Sequence, residues 1–324
     1  MSEETLLQSK VPLHQAGKTL LDFLSVRFRY QTPAAWKDLI VQGKVTVNGA
    51  RSQPDRALAK GDLVAYSVIL REPPVNGDIR FLHEEESFLI ATKPGQLPSH
   101  ADGNFIKNTF IYLVTQTLRD KGWKGDVRLV HRLDRETSGL MVVAKNREAH
   151  RILVRQFEEG TVDKEYQALA QGLVEKEKFE VKGAMGRDPQ SSISVRQALV
   201  PEGTPHSKPS LTFFEKIRAL SGGGATLLKC VPKTGRTNQI RVHLASTGHP
   251  LVGDKLYGRA DGEFLEFIRH VKAGGDPSFG GRFGAARHML HASRLAFTHP
   301  VTSQPVVFEA PLPPDFLKAI QDLS

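Results

Sequence analysis

The stretch from Leu129 to Lys145, LVHRLDRETSGLMVVAK, limits the possible folds more than any other part of this chain. Apolar segments on both sides read as strands, and the turn-forming run Glu136, Thr137, Ser138, Gly139 separates them. Between the strands Asp134 is set between Arg132 and Arg135. A loop that only joins two strands is satisfied by Asn, Gly and Ser, whereas this one gathers charges of both signs where a scaffold can present them. Asp134 is therefore the first candidate for chemistry.

With 324 residues and 40% hydrophobic content, the chain can fill a large domain and a companion. Lys and Arg number 44 against 35 Asp and Glu, a net charge of +9 that favours a polyanionic partner. Cys230, the single cysteine, excludes intramolecular disulfides and cysteine-rich zinc sites. It lies in an apolar run and reads as a buried small hydrophobe. The N-terminal residues lack a basic start with an apolar core, and no apolar run reaches the roughly 20 residues that span a bilayer. The expectation is a cytoplasmic protein.

Residues 17–70 read as a small module. Leu20, Leu21, Phe23 and Leu24 precede Trp36, Leu39 and Ile40, and Thr32 and Pro33 supply a cap and a first-turn proline, so two short helices are expected. A strand through Val45 and Val47, the Asn48-Gly49 turn, and a strand from Leu63 follow. The run LIVQGKVTVNG followed by GDLV resembles an S4 RNA-binding domain, an α-L-like module. That resemblance makes Lys18, Arg27, Arg29, Lys37 and Lys44 candidates for RNA phosphates. Residues 1–16 read as an extension, and 71–78, with two prolines in sequence, as a stiff linker.

Residues 79–324 read as the large domain. Arg80 to Ala91 suggests a strand pair delivering Lys93, Pro94 and Gly95 to a turn. A helix is expected over Asn104–Lys121, and a second from Arg147 to Glu159 behind the N-cap Asn146. Lys164 to Ala170 reads as a strand, whose Tyr166 is either half-buried structure or a stacking surface for a base. Residues 183–210 read as loops and edge strands. In Pro232 to Gly258, Thr237 is expected to cap a helix carrying Arg241, whose buried setting calls for a carboxylate. Asp134 and Asp254 are the two candidates. Glycine-rich residues 274–284 read as a surface loop and lack the context of a phosphate-binding loop. His243, His249, His288 and His291 lack the motif, cysteine or carboxylate company of a metal site, so no metal is expected.

HRLDRETSGLMVVAKN, KEYQA, GRTNQIRVHLASTGHPLVGDKLYG and HMLHASRLAFTHPVTSQPVVFEAPLP, in that order, resemble the catalytic domain of the RluA family of pseudouridine synthases. The family commonly has His where this chain has Asn238. The resemblance implies an α+β fold with a mixed, largely antiparallel central sheet flanked by helices, and isomerisation of uridine in structured RNA, ribosomal RNA somewhat favoured over transfer RNA. It makes Asp134 the catalytic carboxylate, Tyr166 the aromatic residue against the base, and Arg241 the partner of Asp134. Arg132 resembles the arginine that fills the space of an extruded uridine, and Lys93 and His131 are expected beside it at the substrate. The expected enzyme needs no metal or other cofactor, has no membrane partner and acts as a monomer. A neighbouring guanidinium favours the ionised carboxylate that glycosidic bond cleavage requires. A docking protein without catalysis and an RNA glycosidase that releases uracil are the rival readings.

Overall fold

The computed structural model describes residues 4–28, 31–69, 72–102, 105–220, 222, 224–273, 275 and 281–324, and divides into two compact units. The first comprises residues 1–74 and 101–108, the second residues 75–100 and 109–324. Arg29 lies outside the described residues, as do 70 at the end of the expected small module, 71 at the start of the expected linker, and 274 and 276–280 in the glycine-rich loop.

In the first unit β1 (Glu4–Lys10), α1 (Leu20–Arg27), α2 (Pro33–Val41), β2 (Val45–Val47), β3 (Ala50–Arg51) and β4 (Leu63–Ile69) follow in order. The sheet order is β1-β4-β2-β3. Thr19 and Thr32 cap the two helices by accepting from Asp22 N at 3.1 Å and Ala35 N at 3.2 Å, with Pro33 in the first turn of α2. Phe23, Leu24, Trp36, Ile40 and Val64 close the core. The residues expected to precede this module instead supply β1, paired along the whole of β4. Its alternation is too weak for the sequence to signal a strand.

The second unit contains β5 (Arg80–Glu84), β6 (Phe88–Lys93), α3 (Phe110–Asp120), β7 (Arg128–Leu129), β8 (Ser138–Ala144), α4 (Arg147–Glu159), β9 (Asp163–Gln171), β10 (Lys178–Arg187), β11 (Gln197–Val200), β12 (Lys208–Leu220), β13 (Ala225–Pro232), α5 (Gln239–Ser246), α6 (Asp261–Lys272), β14 (Leu290–Thr298), β15 (Pro305–Glu309) and α7 (Pro314–Asp322). Its sheet runs β11-β10-β12-β13-β9-β14-β8-β6-β5, with β15 on β14 and β7 on β8. Among the described residues only β8 and β14 pair in parallel; the mixed, largely antiparallel sheet expected from the family resemblance is the observed one.

Strand alternation assigns the layers. Leu89, Ala91, Met141 and Val143 face α3 through Phe110, Val114 and Leu118. Phe88, Ile90, Leu140 and Val142 face the other way, onto Ala149 and Leu153 of α4. Ala168, Leu228 and Cys230 meet Ile240 and Leu244 of α5. Tyr166 borders both the α3 and the α5 clusters, so it sits on the sheet face where those two layers meet.

Asn146 caps α4 by accepting from Ala149 N at 2.8 Å, as its position predicts. The helix expected from Asn104 instead begins at Phe110, capped by Thr109, because the chain first makes the Asp102–Phe105 bridge. Gly139 opens β8 at φ +118°, and a Cβ there would collide with the Ala292 backbone, so only glycine lets β8 start beside β14.

Burial pushes the imidazoles of His243 and His291 down to about 4 from an ordinary 6.5. His243 hydrogen-bonds Ser210 and Thr212 at 2.9 Å, and His291 bonds Ser138 at 2.9 Å. Both are neutral in the fold and protonated in the unfolded chain between these values, so the unfolded state binds more protons there. Stability should therefore fall as pH drops from 6.5 to 4, by up to about 1.4 kcal/mol per histidine per pH unit. Urea denaturation across that range, repeated with His243→Gln, measures the share of that site.

Candidate active site

The loop between β7 and β8 carries Asp134, and four consecutive carbonyls of that loop have their own donors. Leu133 O accepts from Ser99 Oγ at 2.7 Å, Asp134 O from Thr137 N at 3.1 Å, Arg135 O from Lys93 Nζ at 3.0 Å and Glu136 O from Arg287 Nη1 at 3.0 Å. Two of these donors are buried cations, Lys93 at 1% and Arg287 at 2% exposure. Lys93 also donates to Pro94 O and Leu97 O, and desolvation pulls its ammonium well below the usual lysine range. Arg287 lies so close to Gly95 that a Cβ there would meet its guanidinium, which accounts for glycine in the Lys93-Pro94-Gly95 turn. Arg287 is tied in turn to Asp315 of α7 through Nε at 2.6 Å.

The side chains of the loop are held as firmly. The Glu136 carboxylate accepts from Lys255 Nζ at 2.8 Å and His288 N at 3.0 Å, while Thr137 Oγ1 meets His288 Nε2 at 2.8 Å. Asp134 thus projects from a backbone with little freedom, which is how a catalytic group is preorganised.

Arg241 chooses neither carboxylate to the exclusion of the other. It reaches Asp254 through Nε at 2.7 Å and Nη2 at 2.9 Å, and its Nη1 lies 3.4 Å from Asp134 Oδ2. Burial alone would raise the Asp254 carboxyl, but Arg241 and the backbone N–H groups of Tyr257 and Leu256 carry it below its usual value. Burial would likewise lower Arg241, and the two carboxylates overcome that, so the guanidinium stays charged. Its carbon lies 4.9 Å from the Tyr257 ring centre.

Asn238, not Thr237, stands at the start of α5, with φ +60° and no capping bond. Its side chain is committed elsewhere: Oδ1 accepts from Arg241 Nη1 at 2.9 Å and Nδ2 donates to Tyr257 Oη at 3.1 Å. Tyr166 on β9 completes the pocket, and burial with the Asp134 charge raises its phenol, which therefore remains protonated at neutral pH. A cavity of about 160 Å³ is lined by Arg132, Asp134, Lys164, Tyr166, Arg236 and Arg241, among others.

The sequence-expected residues separate accordingly. Asp134, Tyr166, Arg241 and the exposed Arg132 share this cavity. Lys93 and His131 do not line it. Lys93 is spent on three carbonyls, and His131 turns behind the loop, stacking on Phe157 at 4.4 Å while Nε2 accepts from Val142 N at 3.0 Å. Desolvation pushes that imidazole down to about 3, so it is a neutral acceptor and part of the framework. Glu136, Lys255 and Arg287 carried no sequence signal for these roles, whereas Asp254 already stood in the sequence as the rival partner of Arg241. No group of three or more His, Cys, Asp or Glu among the described residues is placed to hold a metal. No helix among them is long and apolar enough to cross a membrane.

The mixed sheet thus brings a carboxylate, an arginine clamped behind it and a tyrosine together in one basic pocket, an arrangement suited to an enzyme site. Comparison with known proteins makes that class definite. Residues 87–246 match the RNA pseudouridylate synthase family. An uncharacterized RNA pseudouridine synthase of Aquifex aeolicus is 35% identical over 86% of this chain and 85% of its own. Ribosomal large subunit pseudouridine synthase D of Neisseria meningitidis serogroup B is 34% identical over 94% of this chain and 78% of its own. The solved structure of human RNA pseudouridylate synthase domain containing 1 aligns with a TM-score of 0.59 at 26% identity, covering 76% of this chain and 90% of that one. The chain belongs to the RNA pseudouridine synthase family and is an isomerase acting on RNA.

Proposed function

We propose that the enzyme isomerises particular uridines of structured RNA through Asp134, with ribosomal RNA ahead of transfer RNA as its target. The observation that carries this reading is the Asp254–Arg241–Asp134 chain of contacts, which aims one anchored guanidinium at a carboxylate beside Tyr166. The target uridine swings out of its stack, a step costing a few kcal/mol that backbone contacts and the inserted Arg132 offset. The N1–C1′ bond then breaks, and Asp134 acts on the electron-poor sugar as nucleophile or as charge stabiliser. Tyr166 and the pocket walls retain the detached uracil while it turns. The C5–C1′ bond forms, C5 loses its proton and N1 gains one. Nothing in this sequence of steps asks for a metal or a redox cofactor.

The ribosomal preference is supported by the Neisseria relative, which is named as a ribosomal large subunit pseudouridine synthase. The first unit serves in this reading as an S4-like RNA-binding module, with exposed Arg27, Lys37 and Lys44 and half-buried Lys18 facing phosphates. Arg29, the fifth expected contact, lies outside the described residues. The proposed setting is the cytoplasm and the proposed working form a monomer. Pseudouridine maps of total RNA from cells with and without the gene test the reading. At least one ribosomal pseudouridine should vanish, and purified protein should restore it on a transcript. Loss confined to transfer RNA would replace the ribosomal target, and free uracil as the product would replace isomerisation by glycosidic cleavage.

A further inference from the structure

Lys164 departs from every rule the other lysines of the catalytic unit follow. Among the described residues, those that are buried or half-buried all have partners: Lys93 three carbonyls, Lys145 Glu84, Lys216 Glu177, Lys229 Glu165, and Lys255 Glu136. Lys164 is half-buried and lines the catalytic cavity, and its ammonium has no hydrogen bond or ion pair among the described residues. Of its sequence neighbours only Asp163 favours its charge, and it does so from beyond ion-pair distance. Strand alternation turns Asp163 and Glu165 to the opposite face of β9, where Asp163 lies 3.9 Å from Lys233 and Glu165 reaches Lys229 and Arg294 at 3.3 and 3.4 Å. The one carboxylate of the cavity, Asp134, is engaged by Arg241.

Strand geometry also fixes what Lys164 accompanies. It stands two residues before Tyr166 on the same face of β9, so the ammonium and the aromatic ring enter one cavity side by side. Arg132 and Arg236 contribute further positive charge to that cavity, although Arg236 is partly held by Pro209 O at 2.9 Å. Desolvation first, then the nearby Lys233 and Arg236, hold the Lys164 ammonium below its usual range and outweigh the opposing charge of Asp163. A cation kept partly out of water without a direct ion-pair partner is a cost that folding alone does not recover.

We propose that Lys164 is the phosphate clamp of the active site, binding a backbone phosphate next to the uridine whose base lies against Tyr166. The assignment rests on the RNA uridine reading above. Of the groups a nucleotide brings into the cavity, only a phosphate carries the charge that matches an ammonium, and lysine binds phosphate as a point charge without reading the base. Lys164 therefore contributes affinity and placement and leaves the choice of uridine to other contacts.

The test is filter binding of a large-subunit ribosomal RNA transcript to the full chain in an Asp134→Asn background, so that affinity is read apart from turnover. Between 50 and 200 mM KCl, Lys164→Met should weaken binding and make the slope of log K against log salt shallower by about 0.9, one phosphate contact, with Lys164→Arg restoring most of both. Unchanged affinity and slope, or a loss that Lys164→Arg does not restore, would overturn the proposal. So would a Lys164→Met enzyme with Asp134 intact whose kcat falls while KM stays put, since that places the lysine in the chemistry. On the unaltered protein, uridine 5′-monophosphate or 3′-monophosphate should compete with the transcript several-fold better than uridine, and equal competition by uridine also counts against the clamp. If Asp134→Asn retained full turnover, the catalytic reading would fail while these affinities still decided the lysine.

Discussion

Asp134→Asn should abolish pseudouridine formation, lowering kcat by about ten-thousandfold or more, while the protein stays folded and still binds RNA. The substitution keeps the size and shape of the side chain and removes the negative charge. That side chain is 28% exposed and makes a single 3.4 Å contact with Arg241, so little packing is lost. Arg241 retains its two bonds to Asp254 and does not become an unpaired buried charge. The melting temperature should therefore move by no more than a few degrees, and RNA affinity should change only modestly. What disappears is the only carboxylate of the cavity, the group able to meet positive charge as the glycosidic bond breaks. Quantifying pseudouridine in RNA that the parent enzyme modifies gives the answer, and undiminished product would eliminate Asp134 as the catalytic group.

The parts of this fold that were legible in the sequence are those governed by short-range rules. Thr32 with Pro33 and Asn146 announced helix starts because a cap and its receiving N–H lie three residues apart. The strands around Asp134 showed themselves by apolar runs, and Tyr166 by its place in one. Thr237 misled because the helix-starting position went to Asn238, whose side chain is drawn away by Arg241 and Tyr257. The framework behind the loop was illegible for a different reason. Glu136 meets Lys255 across 119 positions, and Arg287 meets the Glu136 carbonyl across 151. Nothing local distinguishes such donors from other basic residues, and a backbone carbonyl leaves no trace in sequence at all. The same holds for Lys93 and His131, whose partners are backbone carbonyls and one backbone N–H.

Asp254→Ala should be the most damaging single change to stability at the site and should remove activity as well. Asp254 is fully buried, and its two oxygens accept from Arg241 Nε and Nη2 and from the backbone N–H groups of Leu256 and Tyr257. Removing the carboxylate leaves a guanidinium at 9% exposure with only the longer contact to Asp134 for its charge and two amide donors without an acceptor. Breaking a buried pair from one side costs about 3–5 kcal/mol, because the remaining charge has lost its compensation and cannot return to water. Arg241 would then relieve that cost by swinging fully onto Asp134, the nearest carboxylate, and would tie up the group needed at the sugar. Activity measured well below the lowered melting temperature separates these two consequences. Asp254→Asn, which keeps the shape and the Oδ1 acceptor shared by the Leu256 and Tyr257 N–H groups, should recover part of the stability but little of the turnover. If Asp254→Ala instead melted within about 1 kcal/mol of the parent, the buried pair would not be the anchor of Arg241.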